Sequence, residues 1–291
     1  MDCSRITFKL NSGRLMPLIG FGTYLIQGDQ LIYQVLDNAL AAGYRQIDTA
    51  TVYHNEYSIG LALKKLLPKY NLKREDIFIT SKLSPSDQGE QAFAAVQESL
   101  RKLDCDYLDL YLIHWPGAGR TPLDSSENLR LRSQSWASLV KAVHSGLVRS
   151  IGVSNYTLKH LNELLANDHG IKPSVNQVEW HPKFYQPELL NLCRQEGILL
   201  QAYSSLGGTG NSELLKDPVV VQIATELGTT SAQVLLRWAV QQNIGIIPKA
   251  RSESRIKSNI DLNFQIPVPL MTQLNNLKSK EKFAWNPENV A

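Results

Sequence analysis

The sequence predicts an α/β fold, a (β/α)8 TIM barrel with an N-terminal β-hairpin, and three observations lead to this prediction. Short apolar runs alternate with amphipathic stretches along the chain, which is the pattern of repeated strand–helix units. The runs lack the apolar–polar alternation of half-exposed strands, as expected of parallel strands that are covered on both faces. A length of 291 residues suits one such barrel, so we expect residues 1–291 to form a single domain.

The predicted strands share an apolar character and are separated by turn-forming residues. They cover residues 18–22, 44–48, 77–83, 108–114, 148–153, 174–178, 199–203 and 245–248. Ahead of them, two short extended segments at 6–10 and 15–16 flank an Asn-Ser-Gly turn. This spacing predicts a β-hairpin, which we expect to cover the bottom of the barrel.

The segments between the predicted strands have helical spacing. Apolar residues share one face of a predicted helix over residues 30–42, and Gly43 follows as a stop signal. Asp87 stands three residues before a glutamate, as in a capping box, which predicts that a helix begins there. The same spacing predicts a helix around Trp136 and another that opens at Ser231.

Composition excludes several classes of protein. A hydrophobic fraction of 43% with 20% charged residues describes a folded globular chain, and a net charge of +3 is too small to indicate nucleic acid as a partner. Neither a membrane span nor a signal peptide is recognisable, so we expect a cytoplasmic protein without a membrane partner. Cys3, Cys105 and Cys193 are widely spaced, which argues against a disulfide framework and against a zinc site.

Polar residues end several predicted strands, and the active sites of parallel barrels lie at the C-terminal ends of their strands. Asp48 ends the second strand and Lys82 the third. His114 ends the fourth strand, and Tyr53 lies in the loop after the second. One polar residue at a strand end is ordinary, but four of these types on one rim predict a catalytic site.

These four side chains suit the protonation of an oxygen atom. A free tyrosine has a pKa near 10, and the ammonium of Lys82 is expected to lower the pKa of Tyr53 and make it a better acid. Asp48 would be the counter-ion of Lys82, and neutral His114 would donate a hydrogen bond to the substrate oxygen. No Ser or Cys nucleophile is paired with a base here, so we expect the attacking group to come from a cofactor.

The second half of the chain predicts a nucleotide site. Tyr203 would stack on a nicotinamide ring, while Ser154, Asn155 and Gln177 would hydrogen-bond its carboxamide. Residues 249–257 form a basic stretch at a helix start after the last strand, a common location for phosphate. Its four cations favour a 2′-phosphate and therefore NADPH. The chain has no GxGxxG fingerprint, so a Rossmann domain is not expected.

Eight stretches form a pattern that is specific by its order and spacing. They are MPLIGFGT at 16–23, GYRQIDTA at 43–50, Tyr53 followed by Asn-Glu at 55–56, TSKL at 80–83, DYLDLYLIHWP at 106–116, IGVSNY at 151–156, NQVE at 176–179 and IPK at 247–249. With them the sequence resembles the aldo-keto reductase superfamily, of the aldose reductase and prostaglandin F synthase-like type. The short C-terminal tail looks more like that of bacterial and lower-eukaryote members than like that of vertebrate aldose reductases.

The resemblance implies a (β/α)8 barrel, extended NADPH or NADP+, and direct hydride transfer to an aldehyde or ketone without a metal. It implies a catalytic tetrad formed by Asp48, Tyr53, Lys82 and His114. It implies cofactor contacts from Thr23, Ser154, Asn155, Gln177, Tyr203, Ser204, Leu206, Lys249, Ser252, Arg255 and Asn259. For the substrate pocket we expect Tyr24, Trp115 and Trp285.

The sequence also departs from this pattern. Ala250 stands where many members have a serine that contacts the 2′-phosphate, and Ser258 where many have a glutamate that contacts adenine. Tyr24 and Ser84 stand where vertebrate aldose reductases carry tryptophan. These changes leave the tetrad intact and leave aldehydes, dicarbonyls, quinones and prostaglandin-type ketones open as substrates.

Alternative interpretations accompany these predictions. Asp48 could cap the following helix, and the basic stretch could be a solvated face. Glu179 and His181 are interpreted as structural, because Pro182 marks a loop, and are left out of the site. The whole chain could be a binding or structural protein with little turnover, although the intact tetrad argues against this. It could also be a metal-assisted hydrolase, but that would need His and carboxylate ligands at several strand ends, and only His114 and Asp48 come close. Family members are often monomers, which is the state we expect.

Overall fold

An antiparallel hairpin precedes the barrel. The computed structural model describes residues 6–208, 213–277 and 281–291, so Cys3 lies outside the described residues. Strands β1 (Thr7–Lys9) and β2 (Leu15–Pro17) pair with Phe8 opposite Met16. The side chain of Asn11 in the turn donates to the carbonyl of Pro173 at 2.9 Å, which fixes the hairpin near the start of a barrel strand.

The barrel strands pair in parallel and follow one another around the sheet in chain order. They are β3 (Phe21–Gly22), β4 (Gln46–Asp48), β5 (Phe78–Leu83), β6 (Leu108–Ile113), β7 (Val148–Ser154), β8 (Val175–Glu179), β9 (Leu199–Tyr203) and β10 (Gly245–Ile246). The backbone N–H of Ile246 donates to the carbonyl of Leu18 at 2.7 Å, and that of Gly20 donates to the carbonyl of Ile246 at 2.8 Å. These bonds join the first strand to the last, and the predicted (β/α)8 barrel is confirmed.

Helices connect the strands and cover the outside of the barrel. They are α1 (Asp29–Ala41), α2 (Glu56–Lys69), α3 (Ala92–Leu103), α4 (Glu127–His144), α5 (Leu158–Ala166), α6 (Pro187–Gln195), α7 (Pro218–Glu226), α8 (Ser231–Val240), α9 (Glu253–Ile260) and α10 (Val268–Asn275). The predicted helices over 30–42, around Trp136 and from Ser231 are confirmed. The Thr230 hydroxyl accepts the Gln233 amide and so caps α8.

The helix start predicted at Asp87 is wrong. The 3-10 turns Pro85–Asp87 and Gly89–Gln91 occupy this segment, and α3 begins only at Ala92. Gly89 has a φ of 87°, which is outside the helical range, and its N–H donates to the Ser135 hydroxyl at 2.7 Å. A tertiary contact to α4 thus replaces the local capping box that the sequence suggested.

The core has two layers. The larger one lies between the strands and the surrounding helices and contains the buried rings of Trp136, Trp180 and Trp238. The smaller one fills the barrel and joins Leu10 and Met16 of the hairpin region to side chains such as Leu112. The hairpin therefore covers one end of the barrel, as predicted.

Two further features bear on the composition-based expectations. Among the described residues, Cys105 and Cys193 are free thiols. No single described helix is both long and apolar enough to cross a bilayer; α7 and α8 meet that requirement only when taken together, and they are bent by 89° relative to each other.

Replacing Gly152 of β7 with alanine tests the packing of the barrel wall. A Cβ at this position would lie 2.5 Å from the Val175 carbonyl oxygen and 2.8 Å from a Leu112 methyl group. Because the backbone of β8 cannot move away freely, we expect Gly152→Ala to lower the free energy of unfolding by about 1–3 kcal/mol. Gly208→Ala is the control, since its nearest neighbour lies at 3.4 Å. Urea unfolding checks both, and equal stability of the two variants would contradict this packing.

Candidate active site

A buried ion pair lies at the C-terminal ends of β4 and β5. The Lys82 ammonium donates to Asp48 Oδ1 at 2.6 Å and to the Thr49 carbonyl at 2.9 Å. The two charged side chains are 0% and 2% exposed. Isolated charges cannot be buried at a tolerable cost, so each side chain depends on the other. Asp48 and Lys82 are thus brought together as predicted.

Tyr53 contacts this pair through its hydroxyl. Lys82 Nζ donates to Tyr53 Oη at 3.3 Å. Tyr53 ends a short 3-10 helix, Thr51–Tyr53, and the following His54 has a left-handed φ of 55° that turns the chain away. The Thr51 hydroxyl donates to the Lys82 carbonyl at 3.0 Å, which fastens the turn to β5.

The alternative role of Asp48 as a helix cap is wrong. The next α-helix, α2, begins at Glu56 and has Asn55 at its cap position. Asp48 is separated from it by the 3-10 turn and directs both carboxylate oxygens into the barrel, to Lys82 and to Gln177.

The expected lowering of the Tyr53 pKa is not found. Burial raises the pKa of the Tyr53 phenol well above its ordinary value, and the Asp48 carboxylate raises it further. Both effects penalise the phenolate, so the phenol holds its proton in the cofactor-free protein. The hydrogen bond from Lys82 favours the phenolate, but it does not offset these two effects on the pKa.

Burial also acts on the two other titratable groups of the cluster. It lowers the pKa of Lys82, whereas the carboxylate of Asp48 opposes that change and favours the ammonium. It lowers the pKa of His114 well below its ordinary value, and the Lys82 charge adds to the effect. His114 is therefore neutral at pH 7, as predicted, and its ring lies edge-on to that of Tyr53 with centroids 5.6 Å apart.

A second polar group lies at the ends of β7 to β9. Asn155 has a left-handed φ of 65° directly after β7, a conformation that asparagine tolerates better than most residues. Its Oδ1 accepts the Tyr203 hydroxyl at 2.6 Å, and its Nδ2 donates to the His114 carbonyl at 2.9 Å. The Ser154 hydroxyl donates to the Gln177 carbonyl at 2.8 Å. The four residues that were predicted to bind the nicotinamide therefore lie together: Ser154, Asn155, Gln177 and Tyr203.

Gln177 joins the two groups. Its amide donates to Asp48 Oδ2 at 2.7 Å and to Gln201 Oε1 at 2.9 Å. Asp48 therefore holds the ammonium with one oxygen and the predicted carboxamide site with the other. Side-chain hydrogen bonds connect the proton-transfer cluster to the predicted nicotinamide site.

The basic stretch divides into free and engaged cations. Lys257 pairs with Glu253 at 2.6 Å within α9, and Arg251 donates to the Leu25 carbonyl at 2.7 Å. Lys249 and Arg255, in contrast, have no hydrogen bond or ion pair with any described side chain. Burial lowers the pKa of Lys249, and neighbouring Arg251 adds to the shift. Only part of the predicted four-cation site is thus free for a phosphate.

The remaining residues predicted for the cofactor differ in their accessibility. Thr23 is fully buried and donates its hydroxyl to the Asp48 carbonyl at 2.8 Å, so it fixes the loop. Ser252 is exposed at the cap position of α9, and Asn259 is buried within it. Ser204 and Leu206 follow β9 directly and are half-buried.

This donor set fits a phosphorylated dinucleotide. Lys249 is half-buried, lies near Arg251 and has no acidic partner among the described residues. A bound anion therefore stabilises its ammonium. Ser252 and Arg255 lie at the start of α9, where the helix dipole also favours negative charge. At the other end of the site, Tyr203 offers a half-buried ring beside an amide.

Two of the three residues predicted for the substrate pocket lie at the mouth of the site, Tyr24 beside Tyr53 and Trp285 beside Tyr24. The Tyr24 ring lies 5.1 Å from that of Tyr53 and 6.2 Å from that of Trp285. Trp285 is 62% exposed and Trp115 is half-buried. Exposed aromatic rings beside a buried acid form a mouth that suits an apolar ligand.

Some residues that shape the site were absent from the predicted set. Asn55 is buried, accepts the Thr49 hydroxyl at 2.5 Å and donates to the carbonyls of Thr23 and Ile26. It thereby binds the Tyr24 loop to the Tyr53 loop. Gln201 also was not predicted, although a glutamine inside the apolar run of β9 was a visible signal. Among the described residues, no group of three His, Cys, Asp or Glu side chains is placed to hold a metal ion.

The chain is similar in sequence and in fold to known proteins. A family model described as "Aldo/keto reductase family" matches residues 18–278. The glyoxal reductase of Bacillus subtilis is 39% identical over 286 residues, which is 98% of this chain and 97% of the relative. The NADP-dependent D-sorbitol-6-phosphate dehydrogenase of Malus domestica is 39% identical, over 89% and 90% of the two chains. A Bombyx mori aldo-keto reductase, solved in complex with NADP, aligns with a TM-score of 0.87 and 31% identity over 96% and 94%.

The variant Asp48→Asn tests the dependence of the buried pair on both charges. It leaves the Lys82 ammonium buried without a carboxylate, and we expect a loss of about 3–5 kcal/mol in the free energy of unfolding. The double variant Asp48→Asn/Lys82→Met removes the unpaired charge and should recover part of that loss.

A surface pair provides the control. Asp104→Asn breaks an ion pair with Lys64 whose side chains are 61% and 71% exposed, and should destabilise the protein far less than Asp48→Asn. Urea unfolding at pH 7 measures all three variants. A double variant less stable than Asp48→Asn would show that the charge imbalance is not what destabilises the protein.

Proposed function

The chain belongs to the aldo/keto reductase family, and from that premise we propose that it is an NADPH-dependent oxidoreductase that reduces aldehydes or ketones to alcohols. The observation that carries this proposal is the contact of the buried Lys82 ammonium with the Tyr53 hydroxyl at 3.3 Å. A phenol held against a buried cation beside a neutral histidine is suited to giving a proton to an oxygen.

The cofactor is held by two groups of residues, the basic stretch 249–257 and the polar group at the ends of β7 to β9. Lys249, Ser252 and Arg255 bind the 2′-phosphate, and the free cations explain a preference for NADPH over NADH. Ser154, Asn155 and Gln177 bind the nicotinamide carboxamide, with the Tyr203 ring as the stacking surface. Thr23, Ser204, Leu206 and Asn259 complete the binding site. When bound, the nicotinamide supplies a hydride to the carbonyl carbon.

Tyr53 is the general acid. Its raised pKa keeps the hydroxyl protonated at neutral pH, so the proton is present when the substrate arrives. As the carbonyl oxygen gains negative charge, the proton moves to it from Tyr53 Oη. The phenolate that forms is stabilised by the hydrogen bond from Lys82 Nζ, and Asp48 keeps that nitrogen in place.

His114 orients the substrate. Its lowered pKa keeps the imidazole neutral, so it does not compete with Tyr53 as a stronger acid. A neutral ring still offers one N–H, which donates to the carbonyl oxygen beside the Tyr53 hydroxyl. The oxygen is thus held between two donors, and its carbon faces the nicotinamide side of the site.

The mouth favours apolar carbonyl compounds. Tyr24, Trp115 and Trp285 form the substrate pocket, and exposed Leu25 and Val52 adjoin it in the chain. Aromatic or aliphatic aldehydes gain from burying their apolar surface against these side chains. Aromatic aldehydes are the class to test first.

We also propose a domain organisation, an oligomeric state and a location for the protein. The chain acts as one barrel domain over residues 1–291, as a monomer in the cytoplasm. Its partner is a small carbonyl compound rather than a nucleic acid or a membrane.

Tyr53→Phe tests the assignment of the acid. The variant keeps the ring but removes the proton, so kcat with 4-nitrobenzaldehyde should fall by about 10²–10⁴-fold. The dissociation constant for NADPH, measured by fluorescence titration, should change little. Tyr57→Phe, at an exposed tyrosine four residues on, is the control and should keep its activity. Turnover of Tyr53→Phe within a few-fold of wild type would remove Tyr53 as the proton donor.

Arg255→Ala tests the 2′-phosphate site. Losing a charge-assisted hydrogen bond should raise the Michaelis constant for NADPH by about tenfold and leave that for NADH nearly unchanged. Lys257→Ala is the matched control, because that cation is already paired with Glu253. Steady-state kinetics with both cofactors measure the effect. An equal rise for NADPH and NADH would discard the assignment.

A further inference from the structure

The C-terminal segment 281–291, here called the tail, is fastened to the barrel at Glu179. This carboxylate ends β8 and is 1% exposed. It accepts from the Phe283 backbone N–H, lies 3.0 Å from Lys282 Nζ and is 3.2 Å from His181 Nε2. Lys282 also lies over the Phe184 ring, 3.9 Å from its centroid. Two consecutive tail residues therefore contact one buried carboxylate.

The other end of the tail is held between α4 and α5. His160 Nε2 lies 3.0 Å from the Val290 carbonyl oxygen, and Arg132 donates to the Ala291 carbonyl at 2.6 Å. The Ala291 N–H donates to the Leu123 carbonyl at 2.7 Å. The tail is thus fixed at both ends, and its middle spans the gap between them.

Trp285 lies in the middle of this span. Its exposed ring contacts Tyr24, whose own ring lies against Tyr53. Since most of the Trp285 side chain has no packing partner of its own, its place at the mouth depends on the fixed ends of the tail.

Glu179 also adjoins the cofactor side of the site. In the sheet it lies opposite Tyr203 of β9. A void of about 20 Å³, large enough for one water, is bordered by Asn155, Glu179 and Lys282. One carboxylate therefore stands between the residues proposed to hold the nicotinamide and the segment that carries Trp285.

The tail contact requires a charged carboxylate. Burial alone raises the pKa of Glu179, but the hydrogen bonds from His181 and the Phe283 amide and the charge of Lys282 bring it below its ordinary value. An ionised carboxylate has only acceptor sites, which match these three donors. A neutral amide in its place has one acceptor oxygen and brings a donor towards Lys282.

We propose that Glu179 is a positioning residue that sets the affinity for bulky carbonyl substrates by holding Lys282 and Phe283 and, through them, Trp285 at the mouth. The proposal rests on the proposed reductase function. It gives a role in substrate binding to a carboxylate that the sequence indicated only as structural. Glu179 itself does not touch the substrate.

The test compares Glu179→Gln with wild type on two aldehydes of different size. For 4-nitrobenzaldehyde the Michaelis constant should rise about tenfold with kcat changed less than threefold, because binding surface is lost but the acid is not. For propanal, which has no ring and little apolar surface to place against Trp285, both constants should stay within twofold. The dissociation constant for NADPH should also stay within threefold.

Lys282→Met removes the same contact from the tail side and should reproduce this pattern. Because the two side chains act together, the double variant Glu179→Gln/Lys282→Met should raise the Michaelis constant for 4-nitrobenzaldehyde no further than either single variant does. Glu288→Gln is the matched control, an identical substitution at an exposed tail carboxylate, and should behave as wild type. If Glu179→Gln fails to fold, Lys282→Met carries the test, since that side chain is 17% exposed.

Hydrogen exchange of the tail amides separates this proposal from the proposed function. Faster exchange of residues 281–291 in Glu179→Gln and Lys282→Met, but not in Glu288→Gln, supports the anchor even if no aldehyde is reduced. Unchanged exchange, or an unchanged Michaelis constant for 4-nitrobenzaldehyde in an active variant, overturns the proposal. An equal rise for both aldehydes or a loss of NADPH affinity also overturns it, because either result shows a general disturbance of the barrel.

Discussion

The buried Asp48–Lys82 pair is the interaction on which the rest of the site depends. Neither charge is stable inside the barrel without the other, so the pair fixes the ends of β4 and β5 relative to each other. The other oxygen of Asp48 accepts from Gln177, and Lys82 also donates to the Tyr53 hydroxyl. The residues proposed for proton transfer and those proposed for the nicotinamide are thereby connected through one carboxylate. With a nicotinamide bound, this connection would hold the hydride source in place relative to the Tyr53 hydroxyl, as the reduction of a carbonyl requires.

The fold and the tetrad could be predicted from the sequence because their signals are local. Each strand is an apolar run, and three of the four side chains proposed for catalysis stand at strand ends, so the barrel topology alone brings Asp48, Lys82 and His114 to one rim. The predictions that were wrong concern features that depend on contacts between residues far apart in the chain. Gly89 donates to Ser135 on another helix, which moves the start of α3. Burial depends on the whole surrounding structure, and it reverses the direction expected for the Tyr53 pKa. The anchoring role of Glu179 was missed for the same reason, since its partners lie about a hundred residues away in the chain.

The residues proposed for catalysis and those proposed for substrate binding lie on different parts of the structure. The groups proposed for catalysis lie on strand ends and on turns held by buried hydrogen bonds, as with Asn55 between two loops. The mouth, in contrast, is formed by Tyr24 on a loop and by Trp285 on a tail that is fixed only at its ends. Substitutions in the mouth can therefore change which carbonyl compound binds without disturbing the buried pair.

The transfer of label from cofactor to product tests the central claim most directly. The protein is incubated in ordinary water with 4-nitrobenzaldehyde and NADPH that carries deuterium at both positions of the nicotinamide C4, and the alcohol is examined by NMR. The account predicts one deuterium on the benzylic carbon and a solvent-derived proton on the oxygen. Only protium at that carbon, or no consumption of NADPH, would contradict it.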